Sequence, residues 1–301
     1  MPRSLKAHIL LVLMTLIWGA TFVLNKAALQ SASPLFFNAV RMSMAAILLA
    51  IYYRRHLAQL TRPALRAGAA VGLFLFLGFA FQMTGLHLTT PSKSAFLTGV
   101  STVLVPLLLI VIWRAHINHW RAAGIVTAFV GLFFMTVPPG RRGIADFGSV
   151  NLGDVLTIAC AVAFAFQIIF VGRASQRFPF EQIAVLQMAT AALLTALATP
   201  LLEHPHMQLS ATVVSAILIT GILGTAVAFT VQAWAQQFTP ATHAALIFTL
   251  EPVFAWLTSR VVLNEHLGLR AGVGALLILA GVLMSELLGQ VARPDQALAE
   301  G

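Results

Sequence analysis

The sequence predicts an all-α polytopic membrane protein, with ten transmembrane helices arranged as two inverted five-helix repeats. Composition is the first observation. Of 301 residues, 59% are hydrophobic and 9% charged, whereas a soluble domain carries about 25% charged residues to cover its wet surface. The second is an internal repeat. Thr89 to Leu97 reappears as Phe238 to Leu246. At one fixed offset Gly72, Thr90, Pro91, Ala95, Leu97, Arg121 and Ala122 fall on Gly221, Thr239, Pro240, Ala244, Leu246, Arg270 and Ala271. A one-residue slip then places Gly124 and Gly131 on Gly274 and Gly281, and earlier in each copy Pro34, Ala39, Val40, Ala46 and Leu49 match Pro179, Ala184, Val185, Ala191 and Leu194. Each copy holds five apolar runs of membrane-crossing length. An odd number of crossings turns the second copy upside down, the design of many secondary transporters.

The spans are expected near 7–29, 34–53, 65–87, 91–113 and 119–137, then 152–174, 180–202, 210–236, 240–263 and 268–290. The first continues past Trp18, so Met1 to Ala20 reads as part of a span and not as a cleaved signal peptide. Pro34, Pro91 and Pro240 mark helix starts, where the missing N–H costs nothing. Gly68, Gly72, Gly78 and Gly85 line the third span, Gly124 and Gly131 the fifth, and Gly268, Gly272, Gly274 and Gly281 the tenth. Small residues at such spacing let helix backbones approach in lipid. The longest connection, Pro138 to Asp154, divides the chain into a first repeat (1–140), a linker (141–151), a second repeat (152–292) and a polar, disordered tail (293–301).

The net charge of +9 does not make a nucleic-acid surface, because its position tracks topology. With the N-terminus inside, Arg3, Lys6, Arg54, Arg55, Arg62, Arg66, Arg114, Arg121, Arg173, Arg177 and Arg293 fall in cytoplasmic segments, and Lys93, Arg141, Arg142, Arg260 and Arg270 fall outside. This bias places both termini in the cytoplasm. Cys160 is the single cysteine, so no internal disulfide forms.

The second copy reads Thr239-Pro240-Ala241-Thr242-His243-Ala244-Ala245-Leu246, then Leu250-Glu251-Pro252-Val253-Phe254-Ala255 and Leu263-Asn264-Glu265-His266-Leu267, ending with Gly272, Gly281 and Val282. With Trp18-Gly19-Ala20-Thr21-Phe22 and the weaker Val105-Pro106-Leu107 of the first copy, this resembles the EamA module of the drug/metabolite transporter superfamily. The resemblance implies a ten-helix carrier of small metabolites in the bacterial inner membrane, with its cavity between the halves and export as its direction. The first copy departs from the pattern at Thr102, which stands where the second has Glu251.

Glu251 is the one acid deep inside a span, and intramembrane carboxylates commonly mark an ion path. It is the candidate proton-coupling group. The alternative is a structural role, hydrogen-bonded or paired with Lys26 or Arg41, the basic residues within spans. Pro252 and Pro106 remove one helix hydrogen bond each, freeing the carbonyls of Phe248 and Thr102. Paired interruptions in matching spans point to a transport site. Lys93 and His243 lie in the first turns of the fourth and ninth helices as vestibule residues. Helix N-termini attract anions there, which suggests a substrate with a carboxylate, such as an amino acid. The alternative for Lys93 is snorkelling to the headgroups. Thr21, Asn25, Gln82, Thr98, Gln167, Gln187, Gln232 and Thr249 are polar groups within apolar spans, and Trp18, Phe22, Phe81, Phe96 and Trp234 are candidate aromatic cavity walls. Interhelical glue is the competing role for the amides.

No cofactor, metal or nucleotide motif is present. His116 with His119, and His204 with His206, lack convergent ligands, and no phosphate-cradling Gly-Lys-Ser/Thr loop occurs. The expected partners are a small-molecule substrate, the bilayer and coupling protons, with no nucleic acid, and the protein is expected as a monomer or homodimer. The expected function is therefore non-enzymatic alternating-access export or exchange of a small amphipathic metabolite. A polytopic enzyme on lipid-linked substrates and a passive channel are the rivals. A tag placed in the 141–151 linker of intact cells is expected to be labelled by an impermeant reagent. Labelling only after permeabilisation, as for tags at both termini, would overturn the inverted arrangement.

Overall fold

The computed structural model of the protein describes residues 2–88, 96–137, 151–263 and 268–288, excluding the side chains of 22, 23, 26, 86, 87, 136, 259–263 and 286. The helices are α1 (Arg3–Ala28), α2 (Pro34–Tyr52), α3 (Arg62–Leu88), α4 (Ser101–Trp113), α5 (His119–Thr136), α6 (Leu152–Arg177), α7 (Phe180–Leu202), α8 (Ala211–Ala235), α9 (Ala241–Phe248), α10 (Glu251–Leu263) and α11 (Leu269–Leu287). Residues 96–99, helical as well, precede α4, and α9 with α10 forms the ninth span. Eight of the spans are long and apolar enough to cross a membrane, and α5 and α11 are shorter apolar helices. The fold is the expected all-α polytopic one, and among the described residues the only β pairing is one bridge, Ala32 to Met207. The 138–150 stretch, Pro91, Lys93 and the 293–301 tail lie outside the described residues.

Helix starts follow local chemistry. Pro34 opens α2, Asn151 and Asp154 form a reciprocal capping box on α6, and the Ser210 hydroxyl accepts from Val213 N–H at the start of α8. These side chains satisfy amides that have no intrahelical partner.

The two copies are joined through equivalent helices. A Cβ on Gly124 would lie 2.6 Å from Gly281 O, and one on Gly131 would lie 2.6 Å from Gly274 O. The reciprocal clashes are 2.4 Å for Gly281 against Gly124 O and 2.6 Å for Gly274 against Gly131 O. As one number rises the other falls, so α5 and α11 run antiparallel with their backbones in contact. The α2–α7 pair behaves likewise. Leu35 and Phe36 N–H groups reach Glu203, while the Thr195 hydroxyl reaches Met42 Sδ. Antiparallel contact between equivalent helices is the geometric signature of inverted repeats. In the third span, Gly85 meets Gly153 O and Thr157 of α6, and Gly72 meets Gln187 and Thr190 of α7. Close backbone approach replaces hydrophobic driving force inside lipid.

Each end of the α2–α7 pair is tied. At one end Glu203 accepts from Phe36 N–H at 2.7 Å and Leu35 N–H at 3.2 Å, the favourable place for a carboxylate on a helix N-terminus. Ser33 there donates to His206 O and accepts from His206 N–H. At the other end His56 lies 3.7 Å from Glu181, and Gln182 Nε2 donates to His56 O at 2.8 Å.

Gly274→Ala is expected to destabilise the protein by about 1–3 kcal/mol, because its methyl must push two backbones apart. Gly272→Ala, whose Cβ would meet only Trp256 at 3.8 Å, is expected to be neutral or stabilising. Thermal unfolding in detergent compares the two, and equal effects would refute the close-packing role.

Candidate functional site

Both copies interrupt the same helix at the same place. Before α10 the α-helical bonding pattern is interrupted at Thr249 and Leu250: Thr249 keeps right-handed helical dihedrals, but its N–H bonds Leu246 O, and Leu250 N–H bonds Ile247 O, three residues back in each case. In the first copy the interruption falls at Val100, whose N–H bonds Leu97 O. By the repeat offset Val100 matches Thr249. This corrects the expected position of one helix break. In the second copy the break precedes Pro252, but in the first α4 continues unbroken through Pro106, and the interruption lies six residues earlier, beside Gly99. The reason is that a membrane helix tolerates the one bond lost to proline. Gly99, a poor helix former, meanwhile packs against Leu132 of α5, which a Cβ would overlap at 2.2 Å.

Trp18 ties α1 to the second break. Its Nε1–H donates to Gly224 O at 2.7 Å, and its ring lies 5.3 Å from Phe229 and 5.4 Å from Phe248, the last residue of α9. Gly224 can accept because residues Ile222–Val227 form a π-helical turn within α8. Such turns release carbonyls from the helix ladder and recur at functional sites. Thr21 donates to Trp18 O at 3.0 Å. The next residue, Gly19, brings α1 onto the start of α10: a Cβ there would lie 2.8 Å from Glu251 O and 2.7 Å from Ala255 N. Glu251 is thus held where three helices and a break converge. Its carboxyl has no hydrogen-bond or ion-pair partner among the described residues.

An aromatic row runs from this junction into the first copy. Phe229 contacts Phe79 at 6.2 Å, and the Arg41 guanidinium lies 5.1 Å from the Phe79 ring centre. Arg41 is 4% exposed and sits about 10 Å inside the start of α2. A charged residue at the bilayer centre costs about 2.5–3.5 kcal/mol even on lenient insertion scales. Among the described residues Arg41 makes one side-chain hydrogen bond, from Nη2 to Asn38 Oδ1 at 2.5 Å. No ion pair joins it to Glu251, so that alternative for Glu251 is not realised. The Lys26 and Phe22 side chains lie outside the described residues.

The remaining candidates divide by place. Gln167, Gln187 and Gln232 are buried and bond one another at 3.2–3.3 Å, with Gln187 also donating to Phe229 O. Their amides are engaged in joining α6, α7 and α8. Thr98 meets Cys160 at 4.0 Å, Phe96 packs on Phe129 and Phe133 of α5, and Thr249 donates to Leu246 O inside the break. Asn25 and Gln82 are half-buried, the Asn25 carbonyl oxygen without a partner. Trp234 lies beneath Lys6, twelve residues along α1 from Trp18 and so about 18 Å away. His243 is buried with its ring 6.0 Å from that of His8. Two apolar grooves, of about 530 and 340 Å³, lie elsewhere, along Val40, Met44 and Ala196 and along Phe74, Phe81 and Phe166. Sequence reasoning missed Asn38, Phe79, Phe229, Phe248 and Gly224. Asn38 carried a signal, an amide one turn from Arg41 in an apolar helix, but the phenylalanines are indistinguishable from lipid-facing ones.

Against known families, residues 5–137 and 151–287 each match the EamA-like transporter family. An uncharacterized transporter of Archaeoglobus fulgidus is 32% identical over 285 residues, covering 95% of this chain and 87% of that protein. An S-adenosylmethionine/S-adenosylhomocysteine transporter of Chlamydia trachomatis is 24% identical over 196 residues, 63% of this chain and 60% of that one. A crystal structure with 19% identity superposes with a TM-score of 0.76 over 95% of this chain and 98% of its own, which shows a shared fold.

Trp18→Phe keeps the ring contacts but leaves the Gly224 carbonyl unpaired. It is expected to lower stability by about 1–3 kcal/mol, read as a lower thermal midpoint. An unchanged midpoint would mean that the bond does not anchor α1.

Proposed function

The chain belongs to the EamA-like transporter family, and from that premise we propose that it exports or exchanges a small amphipathic metabolite, of amino-acid type, by alternating access. The observation carrying this is the pair of helix interruptions at matching positions of two antiparallel repeats, one of them beside a carboxyl with no partner among the described residues. Discontinuous helices at a repeat interface form the substrate and ion sites of secondary transporters. Glu251 is the proton-coupling group in this reading. The aromatic row from Phe248 through Trp18 and Phe229 to Phe79 offers ring faces to a partly apolar cargo. The Chlamydia relative is named for two amino-acid derivatives that carry an aromatic base, which favours the same cargo class here.

The proposed topology places both termini in the cytoplasm of a bacterial inner membrane. The Glu203 end of the α2–α7 pair then faces outward and the His56–Glu181 end inward. Rocking of the repeats would loosen one tie while the other holds. The domain limits of 1–140 and 152–292 are the rigid units of this motion.

The test is flux through the full-length protein in liposomes, screened over amino acids and nucleoside-bearing amino acids. Saturable uptake stimulated by substrate on the opposite side is expected, and linear flux without such stimulation would reject a carrier. Glu251→Gln is expected to abolish accumulation driven by a pH gradient while leaving exchange intact. Gradient-driven accumulation that survives the substitution would assign the carboxyl a structural role.

A further inference from the structure

We propose that Arg41 and Asn38 form the binding site for a carboxylate of the transported molecule. The two residues share one face of α2, three positions apart, and are 4% and 0% exposed. Arg41 Nη2 donates to Asn38 Oδ1. That bond engages the Asn38 carbonyl oxygen and leaves the Nδ2 donors of the same amide over. Asn38 Nδ2 and Arg41 Nε are both buried and find no acceptor among the described residues. The site therefore offers a cation and two kinds of N–H donor that no described residue receives.

The described acids are engaged elsewhere or placed elsewhere. Asp154 caps α6, Glu181 faces His56, Glu203 holds the first amides of α2, and Glu251 opens α10. Phe79 lies against the guanidinium at 5.1 Å; stacking uses the face of the fork and leaves its edge for hydrogen bonding. Gly221 brings α8 against α2 here: a Cβ on it would lie 2.1 Å from Met44 Cε and 3.5 Å from Arg41 Cγ. A carboxylate is acceptor-only, with two oxygens that match a guanidinium edge and an amide. It also carries one charge for one cation. A phosphate dianion would call for a second cation, and the described residues bring none to Arg41. The inference rests on the carrier reading for the step that makes the anion part of the cargo. It moves the anion-binding role from the helix mouths to the membrane interior.

The full-length protein, reconstituted in phosphatidylcholine nanodiscs, is titrated with benzoate and with benzamide while thermal unfolding is followed. Benzoate is expected to raise the midpoint and benzamide to leave it unchanged. Arg41→Met and Asn38→Ala are each expected to weaken the benzoate response about tenfold, the value of one charge-assisted hydrogen bond. Without a probe, Arg41→Met is expected to unfold at or above the wild-type temperature, because it removes a buried charge that has no ion-pair partner among the described residues. Equal responses to the two probes, or none, would overturn the site. So would a benzoate response that survives both substitutions, or stabilisation by phosphatidylglycerol that replaces it, which would assign the anion to a lipid. Saturable flux by a protein indifferent to benzoate rejects this site and leaves the carrier reading standing, whereas benzoate binding without flux does the reverse.

Discussion

Backbone contact between equivalent helices is the constraint on which this architecture depends. In lipid no hydrophobic force pulls helices together, and α5 and α11 meet instead where glycine removes the side chain from both sides. Their antiparallel pairing, repeated by α2 and α7, relates the two copies by an approximate two-fold axis. Once that axis exists, any local feature of one copy has a counterpart facing the other way. The interruptions at Val100 and Thr249 obey this rule.

The polar side chains then sort by whether the bundle satisfies them. Gln167, Gln187 and Gln232 close their bonds on one another, Trp18 on Gly224, and Glu203 on the first turn of α2. Each of these bonds is a fastening between helices or copies. Arg41, Asn38 and Glu251 are different, because the described surroundings leave donors or a carboxyl unmatched where desolvation is costly. A buried cation beside an open amide is the costliest of these leftovers, and it suits something that is not part of the chain. The aromatic row connects these two regions, with the guanidinium at one end and the second break at the other.

Much of this was legible in the chain. The repeat offset matched Gly124 with Gly274 and Gly131 with Gly281, and all four are contact residues. The Glu251-Pro252 pair marked the second break. Pro106 is no guide to the first break, because a proline within a membrane helix costs only one bond, while the interruption falls at Val100, beside a glycine pressed onto Leu132. The glutamines were legible as polar groups within spans but not as a mutually bonded set. That depends on which helix faces turn toward each other, and period alone does not say so. The π turn at Ile222–Val227 had no comparable signal, since an extra residue in a helix alters no composition.

The sequence by itself determined the solvent, the number and length of the crossings, and the opposition of the two copies, because these follow from apolar run length, from charge placement and from an odd repeat. The tertiary structure decided which buried polar groups are partners and which are left over. Hydrogen bonding in the membrane is a matter of distances near 3 Å between groups as much as 206 positions apart, as for the Trp18 indole and the Gly224 carbonyl, and such distances are fixed by helix packing and not by local order along the chain.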